Sequence, residues 1–92
     1  MSVGAQRTVV ICNKRGLHAR AAARFVKLAE TFAAEVTVTR RDQAVSGRSI
    51  MGLMMLAGVP GASIDIAATG ADAEAAVAAL GALVERRFDE DE

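Results

Sequence analysis

The hydrophobic period of this chain switches repeatedly between two residues and about 3.6, and that alternation limits the folds open to it. Residues 8–13 alternate weakly and are rich in Val and Ile, which predicts a strand with Val9 and Ile11 inward. Asn13-Lys14-Arg15-Gly16 reads as a polar loop. Over residues 19–34 the spacing changes: Ala22, Phe25, Val26, Ala29, Phe32 and Ala33 share one face, with Arg20, Arg24, Lys27 and Thr31 opposite, as in an amphipathic helix. Residues 35–40 alternate again with Val36 and Val38 inward, Arg41-Asp42 turns, and residues 43–46 form a short partner strand. Ser49 then caps a short helix over residues 50–56, which Gly58-Val59-Pro60-Gly61 ends. A strand over residues 63–69 places Ile64, Ile66 and Ala68 on one face. Asp72 is expected to cap an Ala-rich helix to about residue 87, with Val77, Leu80, Val84 and Phe88 as its stripe and Arg86 and Arg87 in its last turn.

The order is β-α-β-β-α-β-α. Strands with one apolar face make a sheet that is wet on the other, so the helices must all cover one side of an antiparallel sheet. The expected fold is α+β, an open-faced sandwich of four antiparallel strands and three helices. At 92 residues it is a single domain, taken as 1–88, with 89–92 (Asp-Glu-Asp-Glu) as a solvated acidic tail.

Size and composition narrow the function. A chain this short buries only about 60–65% of its unfolded surface, so a surface site of one or two side chains is expected rather than a deep cleft. One Cys excludes a disulfide framework, and one Cys with one His excludes an ordinary structural zinc site; no metal or cofactor is expected. The longest apolar stretches, residues 50–59 and 75–84, are too short for a membrane span. The first seven residues lack the apolar core of a secretory signal, and Cys12, placed in a strand, suits a reducing compartment. A cytoplasmic monomer is expected. The net charge is zero, yet residues 1–48 carry nine basic and three acidic side chains, and residues 49–92 two basic and eight acidic. That asymmetry fits either chance or a positive face that meets an anion or an acidic partner.

The segment Gly16-Leu17-His18-Ala19-Arg20 is where chemistry is expected. His18 falls where loop becomes helix, and a helix start offers unpaired N–H groups that suit an anion such as phosphate. An imidazole is a competent nucleophile at neutral pH. Arg20 follows in the first turn, with Arg24 and Lys27 on the same face, and Lys14 and Arg15 approach from the loop. Met51, Met54 and Met55 lie on a helix too short to bury every side; at least one is expected to fill the core and the rest to form an adaptable docking surface.

Two blocks carry a family resemblance. Residues 13–30, NKRGLHARAAARFVKLAE, resemble the active-site loop and first helix of the HPr family, the histidine-containing phosphocarriers of bacterial phosphotransferase systems. Residues 47–57, GRSIMGLMMLA, resemble that family's regulatory-serine segment, and the spacing, length and element order fit as well. The resemblance implies that His18 takes a phosphoryl group on its δ nitrogen from Enzyme I, charged by phosphoenolpyruvate, and passes it to a histidine of an EIIA-type protein. It implies that Arg20 stabilises the phosphorylated ring and that Ser49 is the target of an HPr kinase/phosphorylase. It favours a docking surface of Ala21, Arg24, Lys27, Ile50, Met51 and Met54. Such a protein is a reactant regenerated in each cycle and not an independent enzyme. One departure stands out: the family reads His-Ala-Arg-Pro, and Ala21 occupies the proline position. Ala21→Pro is expected to stabilise by about 0.4–1 kcal/mol if the backbone already suits it.

Three other readings remain open at this stage. The carrier could serve a regulatory, nitrogen-type system rather than sugar uptake. A split β-α-β module could hold RNA or a small anion, although all three Phe fall in predicted helices and none in a strand where bases would stack. A small enzyme could use His18 as general base, but no second catalytic group completes such a site. No nucleic-acid or membrane partner is expected.

Overall fold

The structure, a computed structural model, describes residues 4–56 and 58–92. Its elements are β1 (Gly4–Val10), α1 (Ala19–Ala29), β2 (Glu35–Arg40), β3 (Gln43–Ser46), α2 (Ile50–Met55), β4 (Ser63–Thr69) and α3 (Ala73–Glu85), followed by a 3-10 turn over Arg87–Asp89. The four strands form one antiparallel sheet in the order β1-β4-β2-β3. The α+β open-faced sandwich expected from the pattern is the observed architecture. Val9, Val36, Val38, Ile64, Ile66 and Ala68 are buried under the helices, while Thr8, Thr37 and their neighbours keep the other face wet.

The core is aliphatic around two rings. Phe25 of α1, Leu53 of α2, Leu80 and Val84 of α3, and Phe88 beyond it meet Ile64 and Ile66 of the sheet. Burying each such side chain is worth about 1.5–3 kcal/mol.

Several boundaries differ from the expected ones, each for a tertiary reason. β1 begins earlier and ends at Val10, because Gly4–Val10 finds a continuous partner in Ser63–Thr69 although its first residues lack an apolar pattern. Cys12 is therefore outside the strand and exposed, with Sγ 3.5 Å from the Val84 and Glu85 carbonyls. α1 stops at Ala29 rather than residue 34: the Ala33 and Ala34 amides are taken by the Asp72 carboxylate at 2.8 and 2.7 Å, and Ala33 is exposed. Asp72 does precede α3, but its side chain makes no cap there; it ties the α1–β2 connection to the start of α3. α3 ends at Glu85, so Arg86 and Arg87 stand beyond the helix rather than in its last turn. Residues 1–3 of the expected domain and Ala57 of the second motif lie outside the described residues.

Candidate functional site

The loop before α1 is shaped by Gly16. It adopts φ +63°, and a Cβ there would stand 2.1 Å from the Gly58 carbonyl oxygen, so only glycine fits. Leu17 N–H donates to the same carbonyl at 2.9 Å. This pins the loop to the segment after α2 and delivers His18 to the N-cap position of α1, as its sequence position predicts. The His18 side chain makes no cap bond, and the first helical hydrogen bond runs from Ala22 N–H to the His18 carbonyl at 2.9 Å. The preceding first-turn amides therefore have no partner within the helix.

The imidazole is 23% exposed at its side chain. Its Nε2 contacts Glu90 Oε2, and among the described residues Nδ1 makes no hydrogen bond. Glu90 Oε1 accepts from Asn13 Nδ2 at 2.8 Å, and the same Nδ2 donates to the Gly16 carbonyl at 2.9 Å. Asn13 is fully buried, and its Oδ1 has no partner. Burial pushes the Glu90 carboxyl up, but the bonds from Asn13 and His18 and the charges of His18 and Arg24 outweigh it and hold it below the usual carboxylate range.

An open cavity of about 350 Å³ is lined by Lys14, Arg15, Arg20 and Arg24 together with the acidic 89–92 segment, including the Glu90 that meets His18. Arg20 is exposed and makes no hydrogen bond or ion pair among the described residues, so its guanidinium is available to an anion. Arg24 is half-buried and donates from Nη1 to the Phe88 carbonyl, which commits part of it to the fold.

The expected solvated tail is instead folded back. Asp89 belongs to the 3-10 turn, the Glu90 side chain is 15% exposed, and Glu92 meets Lys14 at 3.2 Å. Asn13 and Glu90 are the site residues that sequence reasoning missed. The usable signal was Phe88: an apolar ring at the end of the stripe must reach the core, and it is fully buried there, so the acids following it begin at the protein surface near the site.

α1 and α2 pack together, so the second block joins the first. Ser49 is the N-cap of α2, and its Oγ accepts from Gly52 N–H at 2.9 Å. Arg20, Arg24, Lys27 and Ile50 line one shallow cavity of about 300 Å³ between the helices. Met51 and Met55 are 69% and 68% exposed, and Met54 is also exposed; none of the three fills the core, a role taken by Leu53 and Leu56. Ile50, expected on the docking surface, is exposed as well. Ala21, expected on the docking surface, is completely buried under it, because its position in α1 faces the core beside Ala22 and Phe25.

A partly exposed imidazole at a helix start, followed two residues on by an unpaired arginine, on an open-faced α+β sandwich, is a surface site that suits an anionic group. The chain matches the family model described as the PTS HPr component phosphorylation site over residues 5–86. It is 46% identical over 85 residues to phosphocarrier protein NPr of Shewanella violacea, covering 92% of this chain and 93% of that protein. It is 46% identical over 87 residues to phosphocarrier protein HPr of Neisseria meningitidis, covering 95% and 98%. A crystal structure of HPr-C-His from Thermoanaerobacter tengcongensis superposes with a TM-score of 0.90 at 40% identity, covering 96% and 99%. The chain belongs to the HPr family of phosphocarriers of the phosphotransferase system.

Proposed function

We propose that Nδ1 of His18 accepts a phosphoryl group from phospho-Enzyme I, ultimately from phosphoenolpyruvate, and passes it to a histidine of an EIIA-type protein. The supporting observation is the ring itself: it stands at a helix start, with Nδ1 free of hydrogen bonds among the described residues and an unpaired Arg20 two residues on in the first turn. In the transfer the Nδ1 lone pair forms a new N–P bond as the donor's N–P bond breaks and its electrons return to the donor nitrogen. Nε2 keeps its proton, so the phosphorylated ring is cationic. First-turn amides and the Arg20 guanidinium offset the charge on the phosphoryl oxygens. Energy resides in the labile bond made upstream, so the chain needs no substrate pocket and is no independent enzyme.

Docking falls to Arg24, Lys27, Ile50, Met51 and Met54, an apolar centre with a basic rim that suits acidic partners. Ser49 is the proposed site of an HPr kinase/phosphorylase. Phosphate there adds about −1.5 to −2 charges beside that rim, weakening docking while a helix start tolerates it. The carrier works in the cytoplasm as a monomer. The NPr relative favours a second reading, a nitrogen-type rather than sugar-uptake pathway; transfer to one or the other class of EIIA protein discriminates them.

The test is incubation with Enzyme I and labelled phosphoenolpyruvate. The label should be acid-labile, alkali-stable and absent from His18→Ala. Label confined to serine would overturn the proposal.

A further inference from the structure

We propose that Glu90 is a positioning residue for phosphoryl transfer, holding His18 as the tautomer that carries its proton on Nε2 and presents Nδ1 as the nucleophile. This rests on the reading of His18 as the phosphoryl acceptor. Glu90 Oε2 meets Nε2, while Oε1 accepts from the buried Asn13 amide, whose orientation is fixed because Nδ2 serves two acceptors at once. An ionised carboxylate can only accept hydrogen bonds. The ring nitrogen facing it must therefore carry the proton, and in the neutral ring that leaves the lone pair on Nδ1. The depressed affinity of this carboxyl for protons keeps it ionised at neutral pH.

The backbone is built to bring Glu90 there. Arg87, Phe88 and Asp89 all have φ between +53° and +63°, a left-handed run that residues with a Cβ rarely adopt. It is held by the buried Phe88 ring, by Arg24 Nη1 on the Phe88 carbonyl, and by the Arg86–Asp89 ion pair at 2.7 Å. Beyond the turn, Lys14 N–H donates to the Glu92 carbonyl at 2.9 Å. A mere extension of the chain would have no reason to hold this conformation.

The same contact serves the product. When Nδ1 bonds to phosphorus and Nε2 keeps its proton, the ring gains positive charge, and the carboxylate on Nε2 offsets it from the side away from the phosphoryl group. A tail that masked the site would be expected to occupy Nδ1 or Arg20. Glu90 does neither among the contacts of the described residues.

Glu90→Ala and Glu90→Gln in the full chain test this, with phospho-Enzyme I as donor and imidazole 15N NMR alongside. For Glu90→Ala, kcat for phosphoryl acceptance should fall about tenfold with KM within about twofold, the size typical of losing a carboxylate that orients a histidine. Glu90→Gln, which can still accept from Nε2–H but lacks the charge, should fall between. The 15N spectrum of the unphosphorylated neutral ring should shift from one dominated by Nε2–H toward a mixture in Glu90→Ala. Unchanged kcat and tautomer would overturn the proposal, and so would faster transfer, which would make the segment an inhibitory cover. If either result comes while His18→Ala abolishes labelling, the acceptor reading stands and only Glu90's role fails; if His18→Ala still takes label on a nitrogen, the acceptor reading itself fails.

Discussion

Asn13 is the only polar side chain fully buried among the described residues, and it joins two ends of the chain that lie 77 positions apart. Its amide holds the Gly16 turn with one bond and the Glu90 carboxylate with another. Asn13→Ala removes both and leaves two acceptors short, so unfolding in urea should show a loss of about 2–3 kcal/mol. Glu90 adds a pH signature. Its carboxyl is depressed below its ordinary value of 4.5 when folded, so the stability it contributes is present above that value and is lost as pH falls through the lower folded one. Wild type should therefore exceed Glu90→Gln in stability at neutral pH, and the gap should close in acid below about pH 4.5; a gap that widens in acid would reverse the assignment. The placement of His18 and Arg20 at the start of α1 was legible in the sequence because they sit where one period gives way to another. The Asn13–Glu90 contact was not, because an acidic run at a terminus looks like solvated chain until its fold-back is known.

At the scale of elements, caps and first turns carry the information. Ser49 caps α2 through its Oγ, as its position before an apolar run predicts. Ser49→Ala should cost about 1 kcal/mol, and Ser49→Asp should restore most of it, since a carboxylate can accept the same Gly52 amide and suits a helix start. Thermal melts of the three proteins check this. Ala21 lies in the first turn of α1, before the first amide bonded within the helix, so a proline there forfeits no helical hydrogen bond. Ala21→Pro should raise stability by about 0.4–1 kcal/mol, read as a Tm increase of about 2–8 °C. A fall would mean that the buried space around Ala21 rejects the ring. The strands β2, β3 and β4 keep their expected bounds because strict alternation and punctuating turns define them. The ends of β1, α1 and α3 moved because partners distant in sequence set them: β4 for the first, Asp72 for the second, the Phe88 turn for the third.

Over the whole molecule, the charge asymmetry of the sequence closes on itself. Glu85 pairs with Arg7 at 2.6 Å, and Glu92 with Lys14 at 3.2 Å, so part of the acidic half lies against the basic one. Both pairs are exposed and add little stability. Their consequence is placement: the acidic segment reaches the loop that carries His18, while Arg20 and Lys27 stay open to solvent beside the exposed methionines of α2. The proposed nucleophile, anion cradle and docking face thus share one end of a sandwich whose sheet leaves its other face to water. The most direct test of the account is the 31P–15N coupling in the protein phosphorylated by Enzyme I with 15N-labelled imidazole. Phosphorus coupled to Nδ1 of His18, with the proton on Nε2, is the predicted result; phosphorus on Nε2, or on serine oxygen alone, would contradict it.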